Sequence, residues 1–179
     1  MDKIYLRADD YLDDSFRLAR KVFDSGWKPD VLLALWRGGA PVGVSVHEFL
    51  GYKGWKLRHC SVKCSSYTGI AAKEATVRFD CADEFFASIR PGEKVLVVDD
   101  IFDTGHTAAA VAERLKTLGV DFRFAAVYWK PSKNLTSLRP DYYVNAVDRW
   151  IVFPHEMDGL TEDELKEKSP LLHRLVTEK

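Results

Sequence analysis

The chain has 179 residues, with 26 Lys and Arg against 27 Asp and Glu, a formal net charge of −1. That balance excludes a partner held mainly by bulk charge, such as a nucleic-acid backbone or an anionic membrane surface, because such proteins carry a large basic excess. At 46% hydrophobic and 12% aromatic residues the composition is that of a compact domain with a real core, and not of a disordered chain.

The apolar runs at 31–36 and 124–129 fall far short of the ~20 residues a membrane helix needs. Acids stand at the N-terminus where a secretory signal places a basic region, so a cytoplasmic location is expected. Cys60, Cys64 and Cys81 contain no Cys-x-x-Cys pair and assemble neither a disulfide framework nor a four-cysteine zinc site. Cys60 and Cys64 share one face of a strand, which makes packing their expected role. The five histidines show no metal-ligand spacing.

Residues 9–23 place Leu12, Phe16, Ala19, Val22 and Phe23 at helical intervals, with acids early and Arg17, Arg20 and Lys21 late, as the helix dipole favours. Gly26 and Pro29 end this helix, and the run 31–36 reads as a strand buried on both faces. Gly38 and Gly39 break the strand, and 42–50 reads as a helix closed by Gly51. A weakly alternating strand at 57–63 precedes a polar stretch, 65–78, read as a long exposed loop or hairpin of the kind that usually has a function. A short helix at 82–89 and a Pro91-Gly92 turn lead to a second apolar strand, 95–98, whose end carries Asp99 and Asp100. A helix from 105 or 106 to 118 is capped by Gly119, and strands follow at 122–129 and 142–147. Thr161, followed by three acids, marks a last helix start. Alternating strands and helices predict an α/β fold, an open, mostly parallel twisted sheet flanked by helices. No repeat or linker interrupts it, so one domain spans 1–179.

Ligands of such sheets bind at the carboxyl ends of the strands, so the informative residues lie where apolar runs stop. In Val95-Leu-Val-Val-Asp99-Asp100-Ile-Phe-Asp103-Thr104-Gly105-His106-Thr107 a buried strand delivers two acids, and a turn rich in Thr and Gly opens a helix. Amides at a helix start make an anion-binding nest, to which the Thr104 and Thr107 hydroxyls add donors. Carboxylates, acceptors only, suit hydroxyl groups or a hydrated cation beside that anion. The same residues also read as a solvated strand end followed by a simple N-cap.

The stretch from Val97 to Thr107 resembles the signature with which type I phosphoribosyltransferases bind phosphoribosyl pyrophosphate. Two further segments match in order. Trp36-Arg37-Gly38-Gly39 is similar to the family's pyrophosphate loop, and Ser65-Ser66-Tyr67 to the start of its mobile loop. The likeness covers about 31–157, a core to which 158–179 adds a helical tail. Within the family the chain resembles the xanthine-guanine and related 6-oxopurine enzymes through three features: Asp103 in the phosphate turn, Lys130 after Tyr128-Trp129, and Trp150-Ile151. Alone, Lys130 reads as a solvated charge and Trp150 as hydrophobic packing.

The resemblance implies a small hood around the base site. It implies a Mg²⁺-dependent transfer of phosphoribosyl from its pyrophosphate to guanine, hypoxanthine or xanthine, by a homo-oligomer, dimer or tetramer. Asp103, Thr104, Gly105, His106 and Thr107 are then the 5′-phosphate site, with Asp103 also the catalytic base or charge stabiliser. Asp99 and Asp100 serve the ribose hydroxyls and Mg²⁺, Arg37 and Gly38 the pyrophosphate, and Ser66 and Tyr67 the closing loop. Lys130, Trp150, Ile151 and Glu156 serve the base. Val152 replaces an acid of the bacterial xanthine-guanine enzymes, a task Glu156 partly takes over, and Trp36 stands where the loop usually has a smaller or polar residue. Two other readings compete: a regulator of this fold that senses nucleotides or binds RNA, and a transferase for another nitrogenous base.

Overall fold

A computed structural model describes residues 3–67, 76–80 and 83–178. Its elements are β1 (Lys3–Tyr5), α1 (Ala8–Asp24), β2 (Val31–Trp36), α2 (Gly39–Tyr52), β3 (Arg58–Tyr67), β4 (Thr76–Asp80) and α3 (Asp83–Ser88). There follow β5 (Lys94–Phe102), α4 (His106–Lys116), β6 (Asp121–Trp129), β7 (Tyr142–Ala146), β8 (Trp150–Val152), α5 (Glu162–Lys168) and α6 (Pro170–Thr177). The chain divides into two compact units, Leu12–Asp148, and Met1–Tyr11 with Arg149–Lys179.

The larger unit holds a six-stranded sheet of order β4-β3-β2-β5-β6-β7. All neighbours are parallel except β3 and β4. β2, Val-Leu-Leu-Ala-Leu-Trp, is buried throughout except at Trp36, as a central parallel strand with both faces covered must be. On one face Leu32 and Ala34 receive α2, so closely that a Cβ on Gly43 would stand 2.7 Å from the Ala34 Cβ. On the other, Val31, Leu33, Val95 and Val97 pack with Phe86 of α3 and Val111 of α4. Each of these fully buried aliphatic side chains contributes about 1.5–3 kcal/mol of burial, which makes the centre of the sheet a stiff platform for whatever its strand ends carry. Cys60 and Cys64 pack against the second cluster. Cys81 lies outside the described residues.

Two local expectations are revised and a choice between two others is made. β5 does not stop at Val98. It pairs with β6 as far as Phe102, Asp99 opposite Ala126 and Phe102 opposite Trp129, because the long apolar β6 continues to offer backbone partners past the acids. α2 runs on through Gly51 to Tyr52, and the left-handed turn after it falls at Gly54, with φ +83°. Of the stretch 65–78, residues 68–75 lie outside the described residues; on either side of them β3 extends to Tyr67 and β4 pairs with it antiparallel, Lys63 opposite Asp80 and Tyr67 opposite Thr76, as in the hairpin alternative.

The smaller unit contains a parallel pair that periodicity does not announce, β1 with β8, Lys3 opposite Trp150 and Tyr5 opposite Val152. At three residues each, both strands are too short to show a period. Thr161 forms a complete capping box with Glu164, whose carboxylate also pairs with the Lys3 ammonium. The tail is two helices, α5 and α6, with Ser169 capping the second by accepting the Leu172 N–H. Lys168 donates to the Phe153 carbonyl at 2.7 Å and to that of Glu156, and this burial pushes its pKa down. No helix among the described residues is long and apolar enough to cross a membrane.

Candidate functional site

The chain leaves β2 toward β3 on one side and β5 toward β6 on the other, so the strand order reverses between β2 and β5. At such a switch point the loops after the two strands part and leave a crevice at the carboxyl edge. Both loops here are built for close approach. A Cβ on Gly38 would fall inside the Asp100 carboxylate, and one on Gly39 would stand 2.5 Å from the Val98 carbonyl oxygen. Only glycine fits either position. Arg37, which follows the exposed Trp36 across a cis peptide, is exposed beside them.

Asp99 and Asp100 lie on successive residues of β5, the Asp100 N–H donating to Asp99 Oδ1 at 3.0 Å. Asp100 is buried. Burial, and then the neighbouring Asp100 carboxylate, push the Asp99 carboxyl well above the usual carboxylate range. Two adjacent carboxyls in such a place favour hydroxyl donors or a cation at their oxygens.

Beyond β5 the chain turns through Asp103 and Thr104 into α4, around a cleft of ≈ 210 Å³ lined by Asp99, Asp103, Thr104, Gly105 and Thr107 over an apolar floor. Gly105 precedes α4 with φ +83°, and a Cβ there would stand 2.7 Å from Asn134 Oδ1 and closer still to the Thr136 hydroxyl. Its glycine is thus required twice, by backbone conformation and by space. The Ala109 N–H closes the first helical turn on the Gly105 carbonyl, leaving the preceding amides at the helix start as donors for an anion. Thr104 and His106 are exposed and Thr107 is half-buried.

β6 delivers Lys130 to the same place. Its N–H donates to the Phe102 carbonyl at 2.9 Å, and its buried ammonium lies 2.9 Å from Asp103 Oδ2. Beneath it the strand is tied down by a buried carboxylate: Asp14 accepts from the Tyr128 hydroxyl at 3.2 Å, Asn145 at 2.7 Å and Arg17 at 2.6 Å.

Arg37, Gly38, Asp99, Asp100, Asp103–Thr107 and Lys130 therefore converge on one edge of the sheet, at the ends of β2, β5 and β6. Ser66 and Tyr67 end β3, and the loop expected to follow them, 68–75, lies outside the described residues. Trp150, Ile151 and Glu156 belong to the smaller unit, where Trp150 is 51% exposed, Ile151 is buried and Glu156 accepts the Phe153 N–H at 3.0 Å. Sequence reasoning missed Asn134 and Thr136. The available signal was a run of turn-forming residues after Pro131, with Asn134 placed to bond its own backbone two residues on.

A mostly parallel sheet with glycine-bounded loops, paired acids and a Thr- and Gly-rich helix start at its switch point defines an open α/β fold with a crevice at its carboxyl edge. Residues 3–159 match the model of the phosphoribosyl transferase domain, and the chain belongs to that family. It is 30% identical to a purine phosphoribosyltransferase from Pyrococcus horikoshii Ot3, covering 90% of this chain and 98% of that one, with a TM-score of 0.70. A xanthine-guanine-hypoxanthine phosphoribosyltransferase of Helicobacter pylori shares the fold at 22% identity, 88% and 96% coverage and TM-score 0.69. So does a hypothetical protein of Neisseria gonorrhoeae with bound ppGpp, at 21% identity, 94% and 97% coverage and TM-score 0.77.

Proposed function

We propose that the protein transfers the 5-phosphoribosyl group from phosphoribosyl pyrophosphate to a 6-oxopurine base, guanine, hypoxanthine or xanthine, yielding the nucleoside monophosphate and pyrophosphate, a purine-salvage reaction. The observation that carries this reading is the Lys130–Asp103 pair beside the phosphate turn. It sets an ammonium donor, suited to the exocyclic oxygen of a 6-oxopurine, against a carboxylate suited to its imidazole N–H. An amino group at that carbon would meet a donor with a donor. A cytoplasmic location and a homo-oligomer, dimer or tetramer, go with the reading.

Transfer passes through a sugar cation like that of glycoside hydrolysis. The protein must therefore hold both phosphates, favour positive charge at the ribose and exclude water. Amides from Gly105 to Thr107, with the two threonine hydroxyls, hold the 5′-phosphate at the start of α4. Arg37 and the Gly38 backbone hold the departing pyrophosphate, Arg through its fixed fork of donors. Asp99 and Asp100 accept from the ribose hydroxyls, and Asp103 takes or stabilises the proton of the purine imidazole. Ser66 and Tyr67 begin the loop that closes over the activated sugar. Trp150 and Ile151 are assigned to the base, and Glu156 to its 2-substituent, from the sequence resemblance.

The donor set fits Mg²⁺. Asp99 and Asp100 offer hard oxygen ligands, one of them buried against the Gly38 cradle, and Mg²⁺ is typically held by one or two carboxylates with substrate oxygens and water completing its shell. Among the described residues no group of three or more His, Cys, Asp and Glu could hold a metal ion. When bound, it neutralises charge on the pyrophosphate leaving group.

The test is pyrophosphate release from phosphoribosyl pyrophosphate against a panel of bases, with RNA retention measured in parallel. Release with guanine, hypoxanthine or xanthine, and none with adenine or uracil, is expected. RNA retention at moderate salt without turnover of any base would replace the enzyme by a regulator. Turnover of a non-purine base would keep the reaction and change the acceptor.

A further inference from the structure

The phosphate turn is held from behind by the segment that follows Lys130, and beyond that lysine none of its residues is assigned to the substrate. The N–H groups of Lys130 and Leu135 donate to the carbonyls of Phe102 and Thr104, each at 2.9 Å, so residues 130–135 run beside 102–104 as a second backbone layer. Where that layer bends, Asn134 and Thr136 bond mainly to each other and their own loop. Asn134 Oδ1 accepts the Thr136 N–H and hydroxyl, both at 3.0 Å. Its Nδ2 donates to the Leu138 carbonyl at 2.6 Å, and the Leu138 N–H returns a bond to the Thr136 hydroxyl at 3.3 Å.

Each polar side-chain atom of Asn134 and Thr136 is thus bonded within the loop, and what the pair presents to Gly105 is a wall. Gly105 rests on that wall, with no room for a Cβ between its backbone and Asn134 Oδ1 or the Thr136 side chain. At φ +83° Gly105 is the residue from which the first amides of α4 take their direction. A glycine has no side chain with which to anchor itself, so its position is set by what it leans on.

We propose that Asn134, acting with Thr136, is a positioning residue of the phosphate turn: it fixes Gly105 and so aims the amides that bind the 5-phosphate of the phosphoribosyl donor. The inference rests on the phosphate reading of Asp103–Thr107 and extends it to residues outside that motif. Amide donors act on a phosphate only within a few tenths of an ångström of their proper place, and a misplacement of about 1 Å can cost on the order of a hundredfold. Loosening the wall is therefore expected to weaken the phosphate ligand and leave the base side largely alone, because Lys130 has its own bonds to Phe102 and Asp103.

Calorimetric binding of ribose 5-phosphate, and KM for phosphoribosyl pyrophosphate and for hypoxanthine, test this in Asn134→Ala, Thr136→Val and Thr136→Ser. Asn134→Ala and Thr136→Val are expected to weaken ribose 5-phosphate and raise KM for the donor by about tenfold, with KM for the base changed less than about twofold. Thr136→Ser, which keeps the hydroxyl, restores most of the affinity. Wild-type affinity in a folded Asn134→Ala overturns the proposal, as does an equal loss for both substrates. If Asn134→Ala does not fold, Thr136→Val with its serine control decides by the same criteria. Ribose 5-phosphate failing to bind even the wild-type protein would instead overturn the phosphate reading, and this inference with it.

Discussion

Lys130 Nζ lies 2.9 Å from Asp103 Oδ2, and the two ends of this ion pair differ in exposure, the lysine side chain 8% and the aspartate 41% accessible. A buried ammonium that loses its carboxylate has little water to turn to, whereas a half-exposed carboxylate that loses its ammonium is simply hydrated. Asp103→Ala is therefore expected to cost stability, roughly 2 kcal/mol, and Lys130→Met less than about 1 kcal/mol. Urea denaturation of both variants measures this; equal costs would contradict the asymmetry.

The same pair divides the chemistry. Asp103→Asn keeps the shape and loses the proton acceptor, so turnover with hypoxanthine is expected to fall on the order of a hundredfold with KM for phosphoribosyl pyrophosphate little changed. Wild-type-like turnover in both Asp103→Asn and Asp103→Ala would remove Asp103 from the chemistry. Lys130→Met is expected to act mainly on KM for the base.

Gly38 and Gly51 make a matched pair of substitutions in and beside the same helix. A Cβ on Gly38 collides with the buried carboxylate of Asp100, whereas one on Gly51, inside α2 at an ordinary helical φ, meets nothing within 4 Å. Gly38→Ala should destabilise by about 1–3 kcal/mol and abolish turnover by displacing Asp100. Gly51→Ala should stabilise by about 0.5–1 kcal/mol with turnover unchanged. Thermal melts and initial rates read both.

Glu93 ties the start of β5 to β3 and provides a pH-dependent contribution. Its carboxylate accepts the Arg90 N–H at 2.8 Å and then the Arg58 guanidinium at 2.5 Å, and these hold its pKa below the usual glutamate value. The folded state thus binds this proton less readily than the unfolded chain. Its contribution is full above the ordinary value of about 4.3 and is lost as pH falls through the lower folded value. Glu93→Gln should be less stable than wild type at pH 7, by no more than about 1 kcal/mol at a largely solvated pair. The gap should close toward pH 3; a gap constant between these pH values would rule the linkage out.

Much of this was legible along the chain. The apolar runs of β2, β5 and β6 are continuous because both faces of a central parallel strand are covered, so their places along the chain and their burial can be read from the runs themselves. The turn Asp103–Thr107 before α4 was legible for a different reason: a helix start is made by consecutive residues, and its glycine and threonines stand together in the sequence. Where local signals are short they failed. β1 and β8 need each other as partners, and the true end of β5 depends on how far β6 continues.

Local chemistry by itself determined the α/β alternation, the two glycine-bounded loops and the Thr- and Gly-rich turn that opens α4, since each depends on neighbours a few residues apart. Only the folded sheet decided that Lys130 reaches Asp103 across 27 positions, that Gly38 is closed to any side chain by Asp100, and that Asn134 stands behind Gly105. Those relations belong to the lateral order β2-β5-β6, which is selected by the burial of whole faces and leaves no trace in residue spacing.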